Sequence, residues 1–397
     1  MDPRDSPYSP GAGTSPGLLA GRGRELERFS ILIDRLALGR SAESVLFAGS
    51  RGMGKTVLLR ECERRAKAAG WFTAFEEVDP DLPLRQVMAF NARDVLFEMS
   101  ASKRYGDRIK RALGVLKAFT SVGILGVKFN IDAELIPGTA DSGVFRRDLL
   151  ALFRELGQIA ASDRSGVVFF LDELHTLRGS EEMAVLDAVI HGMAQDALPV
   201  TAVGAGVFSG PGYHDPSEPL GVSTYAGRLY RVLRLYRLDH ESAAKAIVEP
   251  ARALGVTFEA GAEQAAVEFA DGSPYFLQLI GEQAWEEAVG QSITRDDVVR
   301  AARQVSRRLD EEFYPRILRG LDPDSRQALL RFAELGGTRV GREDFVIASG
   351  TSWPELSDPV STLMTRGIVD VAGSRIYSIA TPGMIGYLSR SGALDGS

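Results

Sequence analysis

Apolar residues follow two different spacings along the first part of the chain. Leu26, Phe29 and Ile33 recur at intervals of three or four residues, which predicts an amphipathic helix, whereas residues 45–47 form a continuous apolar run typical of a buried strand. The same patterns predict further helices at 57–69, 145–161 and 182–195 and further strands at 71–78, 167–171, 198–203 and 229–235. This alternation predicts an α/β fold with a five-stranded, mostly parallel sheet over residues 18–238.

The pattern changes after residue 238, where the strand signals stop. Four helical stretches follow at 241–254, 259–270, 274–288 and 294–317, and they predict a separate helical unit over residues 239–320. Residues 321–390 combine helical stretches with short apolar runs; the helices fall at 324–335, 343–348 and 353–366, and the runs at 368–371 and 377–380. Three helices followed by a pair of strands predict a winged helix-turn-helix.

Two parts of the chain fit neither pattern. Residues 101–141 begin with a basic helical piece and continue with a stretch at 121–132 that reads like a hairpin, so we interpret them as an insertion into the first unit. The first 17 residues contain four prolines and three glycines. That composition predicts a disordered tail, and residues 391–397 form a second one.

Composition narrows the class of protein. The 397 residues are 45% hydrophobic and 25% charged, which is typical of globular domains. The single cysteine, Cys62, excludes a disulfide framework, and no run approaches the ~20 apolar residues of a membrane span. We therefore expect a cytoplasmic protein without a membrane partner. The net charge of −7 implies that any contact with DNA is local.

One motif predicts a phosphate-binding loop. Residues 49–56 match GxxxxGK[ST] at every position, after a predicted strand and before a predicted helix. Glycines allow successive backbone N–H groups to turn towards a triphosphate, and the helix directs the positive end of its dipole there. Lys55 would contact the β and γ phosphates, and the Thr56 hydroxyl would bind Mg²⁺. The predicted nucleotide-binding residues are Gly49, Ser50, Arg51, Gly52, Met53, Gly54, Lys55, Thr56 and Val57.

A second motif follows the apolar strand at 167–171, which ends in Asp172 and Glu173. An unpaired buried carboxylate costs on the order of several kcal/mol, so adjacent acids at such a position rarely serve packing. Asp172 is predicted to hold the metal, usually through water, and Glu173 to act as general base on the attacking water. His175 completes a D-E-x-H sequence, but the other helicase motifs do not occur. We interpret it as a helix-start or surface residue, with nucleotide sensing as the alternative.

With these motifs in place, the chain resembles P-loop ATPases of the AAA+ class, nearest the STAND (signal-transduction ATPase) and archaeal initiator-like branches. Residues 19–25 match the hhGRxxE box that borders the adenine and ribose in those families, which implies a nucleotide contact for Arg22. Residues 272–274 match their GxP module, whose proline, here Pro274, packs near the base. The resemblance implies the sheet order 5-1-4-3-2, nucleotide at the carboxyl ends of the strands, and ATP or ADP with Mg²⁺ as ligands.

Departures from the family pattern favour slow hydrolysis. A polar sensor is expected at the end of the fourth strand, but residues 203–206 offer only backbone, and the lid helix has no clear sensor arginine near Pro274. Arg228 stands where AAA+ proteins often present an arginine finger to a neighbouring subunit, which would imply a homo-oligomer. Alternatively, Arg228 belongs to a solvated basic edge, because arginines recur at every third position up to residue 237.

The C-terminal unit leaves two functions open. Winged helices commonly place a recognition helix, here residues 355–366, in the major groove. Residues 321–390, however, carry seven arginines and no lysine against eight acidic residues, and Arg366 is the only basic residue of that helix. One prediction is an ATP-hydrolysing switch that acts on DNA or a DNA-associated complex. The other is a signalling switch that retains ADP, turns over little and docks a partner protein.

Overall fold

The computed structural model describes residues 1–11, 13–14, 16–101, 106–122, 133–177, 180–207, 229–373 and 375–393. The helices of the first unit are α1 (Gly23–Ala37), α2 (Lys55–Ala68), α3 (Leu84–Ser100), α4 (Gly106–Ser121), α5 (Phe145–Ala161) and α6 (Glu181–Gln195). Its strands are β1 (Ser44–Ala48), β2 (Phe72–Glu77), β3 (Val167–Asp172), β4 (Val200–Gly206) and β5 (Tyr230–Arg234).

The five strands form one sheet in the order β2-β3-β4-β1-β5, which confirms the predicted order 5-1-4-3-2 read from the other edge. Every pairing in this sheet is parallel. All five carboxyl ends therefore lie along one edge, where the register places Ala48 beside Gly206 and Arg234. The segments that follow β1, β3 and β4 meet at this edge.

Apolar residues cover both faces of the sheet. Helices α3 to α6 pack on one face, where the ring of Phe153 stacks on Phe169 with centroids 4.6 Å apart. Helices α1 and α2 pack on the other face, where Phe29 contacts Phe170 at 5.8 Å. Neighbouring residues of β3 thus point to opposite faces, as expected for a strand buried on both sides. The result is the three-layer α/β arrangement that the alternating pattern predicts.

The segment at 101–141, interpreted as an insertion, contributes α4 to the main core. Ile109, Val115 and Phe119 of this helix are buried between α3 and α5. The predicted hairpin lies outside the described residues from position 123 onward. Helix α3 itself was not predicted, because buried residues occupy most of its circumference and leave no amphipathic period to recognise.

The second unit contains a helical lid. Its helices are α7 (His240–Ala253), α8 (Ala262–Ala270), α9 (Pro274–Glu287), α10 (Arg295–Arg308) and α11 (Tyr314–Leu318). A π-helical turn, Leu309–Phe313, joins α10 to α11, so the fourth predicted stretch is one helical run with a wider turn inside it. The short parallel strands β6 (Thr257–Phe258) and β7 (Ser292–Ile293) were not predicted.

The third unit has the helices α12 (Pro323–Glu334), α13 (Arg342–Ser349), α14 (Trp353–Thr365) and α15 (Met384–Arg390). Its strands are β8 (Val340–Gly341), β9 (Val369–Gly373) and β10 (Ile376–Ile379), which form an antiparallel sheet in the order β8-β10-β9. The expected three helices and strand pair are present, with β8 and α15 in addition. The lid and this C-terminal unit share one apolar core, in which Tyr314 stacks on Tyr387 at 4.9 Å.

The N-terminal segment differs from the predicted disordered tail, because its described residues pack against the lid. Tyr8 is only 3% exposed, and its hydroxyl donates to the carbonyl of Ile247. Its ring fills the space beside Gly281, where a Cβ would lie 2.7 Å from a ring carbon. A single aromatic side chain thus provides an anchor that composition does not reveal. Among the described residues, no helix combines the length and hydropathy needed to cross a bilayer.

A buried ion pair connects three helices of the first unit. Arg85 of α3 donates to Asp148 of α5 at 2.8 Å, and their side chains are 8% and 1% exposed. Arg85 also donates to the carbonyls of Phe119 and Val122, at the end of α4. These bonds satisfy a charge that burial would otherwise leave without compensation.

We expect Arg85→Ala to lower the free energy of unfolding by about 3–5 kcal/mol, because it leaves Asp148 buried without a counter-charge. Urea denaturation of the purified protein measures this loss. The control is Arg111→Ala: Arg111 pairs with Glu155 at 3.1 Å but is 62% exposed. Its loss should cost about 1 kcal/mol or less. Equal losses in the two variants would contradict a structural role for the buried pair.

Candidate nucleotide-binding site

The loop between β1 and α2 has a shape that favours glycine at three positions. Gly52 and Gly54 have φ values of 80° and 81°, in the left-handed region. A Cβ on Gly49 would lie 2.9 Å from the carbonyl oxygen of Leu235. Helix α2 begins directly after the loop at Lys55, and the first turn of a helix leaves backbone N–H groups free. Such a loop suits an anionic ligand.

Lys55 is the first residue of α2, and its side chain lies buried against this loop. Its ammonium group donates to the carbonyl of Ser50 at 2.9 Å, across the turn. Burial lowers the pKa of Lys55, and the carboxylates of Glu173 and Asp172 oppose that shift. The position places a positive charge where phosphate oxygens would supply its counter-charge.

The two residues predicted to hold Mg²⁺ are in direct contact. The Thr56 hydroxyl donates to a carboxylate oxygen of Asp172 at 2.5 Å, and Asp172 is buried. No group of three or more His, Cys, Asp or Glu side chains able to hold a metal occurs in the described part of the chain. Mg²⁺ suits this donor set, because it is usually held by one or two carboxylates together with substrate phosphates and water.

Glu173 has an unusual backbone conformation for a residue with a side chain. Its φ is 52°, and its N–H donates to the carboxylate of Asp172 at 2.9 Å. A left-handed conformation costs a non-glycine residue about 1–2 kcal/mol. Such conformations occur preferentially at functional sites. The carboxylate of Glu173 lies 3.4 Å from Nδ1 of His175, which is largely buried and not a surface residue.

The residues of the two weaker motifs also reach the loop. Arg22 is 5% exposed and donates to the carbonyls of Met53 at 3.2 Å and Tyr236 at 2.8 Å. Pro274 is the first residue of α9, and the next residue, Tyr275, donates its N–H to the carbonyl of Gly52 at 3.3 Å. The structure therefore brings Arg22 and Pro274 to the phosphate loop, although they are 252 positions apart.

The described arginines near β5 make different contacts. Arg228 lies outside the described residues. Arg231 pairs with Glu43 at 2.9 Å. Arg237 instead donates to the carbonyls of Ile379 and Ala380 in the C-terminal unit, both at 3.0 Å. Arg231 and Arg237 thus have different structural roles, although they belong to the same three-residue spacing in the sequence.

One feature of the site was not predicted: the C-terminal unit contacts the phosphate loop. The hydroxyl of Ser50 donates to the carboxylate of Asp370, in β9. A Cβ on Gly367 would lie 3.1 Å from Cγ of Arg51. Ser50 and Asp370 are 320 positions apart in the sequence. No local sequence pattern reports such a distant contact.

Comparison with known protein families gives a match to most of the first unit. Residues 18–203 match the model of the AAA ATPase domain. This range contains the phosphate loop and the paired acids Asp172 and Glu173. The match and the sheet topology together support a P-loop ATPase core of the AAA class. A comparison with curated protein sequences gives no match.

Solved structures resemble most of the chain at low identity. The walker-type ATPase PABY2304 of Pyrococcus abyssi has a TM-score of 0.56 and 18% identity, over 94% of this chain and 96% of that one. The ORC2 protein of Aeropyrum pernix, solved as ADPNP–ADP complexes, has a TM-score of 0.57 and 15% identity, over 97% and 98%. The Thermotoga maritima RuvB Holliday junction branch migration motor has a TM-score of 0.45 and 18% identity, over 93% of this chain and 95% of that one. At these identities the likeness to the first two structures concerns the fold alone.

We expect Arg22→Ala to weaken binding of ATP and ADP about tenfold or more. The change removes two hydrogen bonds from a charged donor, one to Met53 of the loop and one to Tyr236 after β5, each worth about 1.5–3 kcal/mol. Isothermal titration calorimetry measures the dissociation constants. Arg24→Ala is the matched control, since Arg24 belongs to the same motif but is exposed. Comparable weakening in both variants would mean that Arg22 has no specific role.

Proposed function

We propose that the protein is a Mg²⁺-dependent ATPase that turns over slowly and serves as a switch, similar to STAND and initiator-like proteins. In this proposal the C-terminal unit is a winged helix-turn-helix that is held against the phosphate loop in the resting state. The observation that carries it is the hydrogen bond from Ser50, in the loop, to Asp370, in that unit. The contact makes the position of the C-terminal unit depend on what the loop binds.

The proposed chemistry uses the residues that meet at the edge of the sheet. Backbone N–H groups of residues 49–56 and the ammonium of Lys55 would bind the phosphates. Thr56 and Asp172 would hold Mg²⁺, which supplies charge neutralisation on the phosphate oxygens. Glu173 would accept a proton from the water that attacks the γ phosphorus. The bond to the β–γ bridging oxygen then breaks and yields ADP and phosphate.

The charge of Asp370 supports a coupling between nucleotide and conformation. A carboxylate beside Ser50 would repel the additional negative charge that ATP brings to the loop, and ADP would bring less. ATP would therefore favour states in which the C-terminal unit has left the loop, and ADP would be compatible with the docked state. Turnover is slow in this scheme because the docked unit has to move first.

The contacts of the lid support its part in such a movement. The guanidinium of Arg237 pairs with Asp271 next to the GxP module and donates to the carbonyls of Ile379 and Ala380. One side chain thus joins the end of the core, the lid and the C-terminal unit. Because the lid and the C-terminal unit share an apolar core, we expect them to move together.

The contacts of Arg366 favour a protein partner over DNA. Its guanidinium donates to the carbonyl of Arg319 at 2.7 Å and of Gly320 at 2.7 Å, which occupies the only basic side chain of the predicted recognition helix. Arg342 lies over the ring of Trp353 at 4.2 Å. Binding to DNA depends mainly on lysine and arginine side chains that are free to neutralise its phosphates.

The proposal also includes a homo-oligomer, in which Arg228 would serve as an arginine finger for the neighbouring subunit. Analytical ultracentrifugation tests whether the oligomer forms.

We expect Lys55→Ala to abolish binding of ATP, and Glu173→Gln to bind ATP but lose hydrolysis about a hundredfold or more, because only the second variant keeps the phosphate contacts. Phosphate release and nucleotide affinity are measured for both variants and for the unaltered protein, and the unaltered protein is measured with and without duplex DNA. Rapid hydrolysis by Glu173→Gln would remove that residue from its role. Strong stimulation by duplex DNA would favour action on DNA over the protein partner.

We expect Asp370→Asn to raise the affinity for ATP about three- to tenfold and to leave the affinity for ADP nearly unchanged, because the amide keeps the shape without the negative charge. Competition with a fluorescent nucleotide measures the ratio of the two affinities. Asp358→Asn, on the exposed side of α14, removes the same charge away from the loop and serves as control. An unchanged ratio in Asp370→Asn would contradict charge repulsion at the loop.

A further inference from the structure

His175 and Gly206 fit together at the carboxyl edge of the sheet. His175 lies in a short 3-10 helix, Leu174–Leu177, directly after Glu173. A Cβ on Gly206 would lie 3.0 Å from the backbone nitrogen of His175 and 3.1 Å from its Nδ1. The φ of Gly206 is not in the left-handed region, so its conformation does not require glycine. The missing side chain instead provides the space that the imidazole occupies.

This position adjoins the phosphate loop. Gly206 is the last residue of β4 and pairs with Ala48, the residue before the loop. The N–H of Gly49 donates to the carbonyl of Gly206 at 3.3 Å. The end of β4 is the place where the resemblance to AAA+ proteins implies a polar sensor, and the sequence offers only backbone there. The structure places the imidazole of His175 beside that backbone.

The imidazole is neutral at physiological pH. Burial lowers the pKa of His175 to about 4, and the positive charges of Lys55 and Arg51 act in the same direction. A neutral imidazole offers one donor and one acceptor. Its Nδ1 lies 3.4 Å from a carboxylate oxygen of Glu173 without the angles of a hydrogen bond, and the tautomer with hydrogen on Nδ1 would donate to that oxygen once the two groups align. Hydrogen bonds of catalytic groups are often long without substrate and shorten in the complex.

We propose that His175 is a positioning residue for Glu173: it holds the carboxylate towards the attacking water and replaces, from the loop after β3, the polar residue missing at the end of β4. The inference rests on the proposed ATPase function. Glu173 has a constrained backbone, so the remaining freedom of its carboxylate lies in its side-chain torsions. A donor on the neighbouring imidazole restricts those torsions, and the close fit to Gly206 fixes the imidazole.

The first test compares substitutions of His175 in the full chain. His175→Ala should lower the kcat of ATP hydrolysis about ten- to a hundredfold and change the dissociation constant of a non-hydrolysable ATP analogue less than about twofold. His175→Asn should recover most of the rate, because its amide can place a donor near the position of Nδ1. His240→Ala, at an exposed histidine of the lid, should hydrolyse ATP like the unaltered protein.

The second test asks whether His175 acts through Glu173. In a Glu173→Gln background, adding His175→Ala should cause little further loss of the residual rate, because the group that it positions is already gone. Gly206→Ala keeps both residues but displaces His175, its backbone nitrogen as well as its imidazole, by a few tenths of an ångström, and it should also lower kcat. This variant carries the test if His175→Ala does not fold.

The outcomes separate this inference from the proposed function. No hydrolysis by the unaltered protein would refute the ATPase and this inference with it. Hydrolysis at equal rates by the unaltered protein and His175→Ala would refute only the role of His175. Fully additive losses in the double variant, or a parallel loss of ATP affinity, would assign His175 to general support of the fold and overturn the proposal.

Discussion

The close approach of the phosphate loop to the strands on either side of it is the constraint on which the site depends. Gly49 donates its N–H to Gly206 at the end of β4, and its Cα faces the carbonyl of Leu235 after β5. Because no side chain fits between these groups, the backbone at the start of the loop is held close to both neighbouring strands. That position fixes the start of α2 and brings Thr56 to Asp172. The paired acids and His175 then face the loop because β3 and β4 end at the same edge.

Much of the fold could be predicted because its signals are local. The apolar runs of the five strands, the glycines of the loop and the acids after β3 each need only a few neighbouring residues for their recognition. The pairing order followed from the resemblance to a known class. Helix α3 escaped prediction because it is buried on most sides, and the N-terminal segment because one buried aromatic ring, Tyr8, decides its position.

The part of the site that could not be predicted consists of contacts between distant positions. Asp370 reaches Ser50 only because the lid and the C-terminal unit fold back over the core. The fit of His175 to Gly206 has the same origin, since the sequence shows a missing polar residue at the end of β4 but not what fills its place. A residue that is missing from a motif can therefore be sought on the neighbouring strand once the strand order is known. In both examples, chain topology decides which side chains face the loop.

The π-helical turn between α10 and α11 has a mechanical consequence. It ends at Phe313, whose ring stacks on Tyr275 at 6.1 Å and contacts Tyr314 at 5.5 Å. Tyr314 in turn stacks on Tyr387 of α15. Four rings therefore form a row from Tyr275, whose N–H donates to the carbonyl of Gly52, to Tyr387. Protein interiors are packed as densely as organic crystals and compress little. Because the rings are rigid and closely packed, a displacement of Tyr275 at one end of the row would be passed to Tyr387 at the other end.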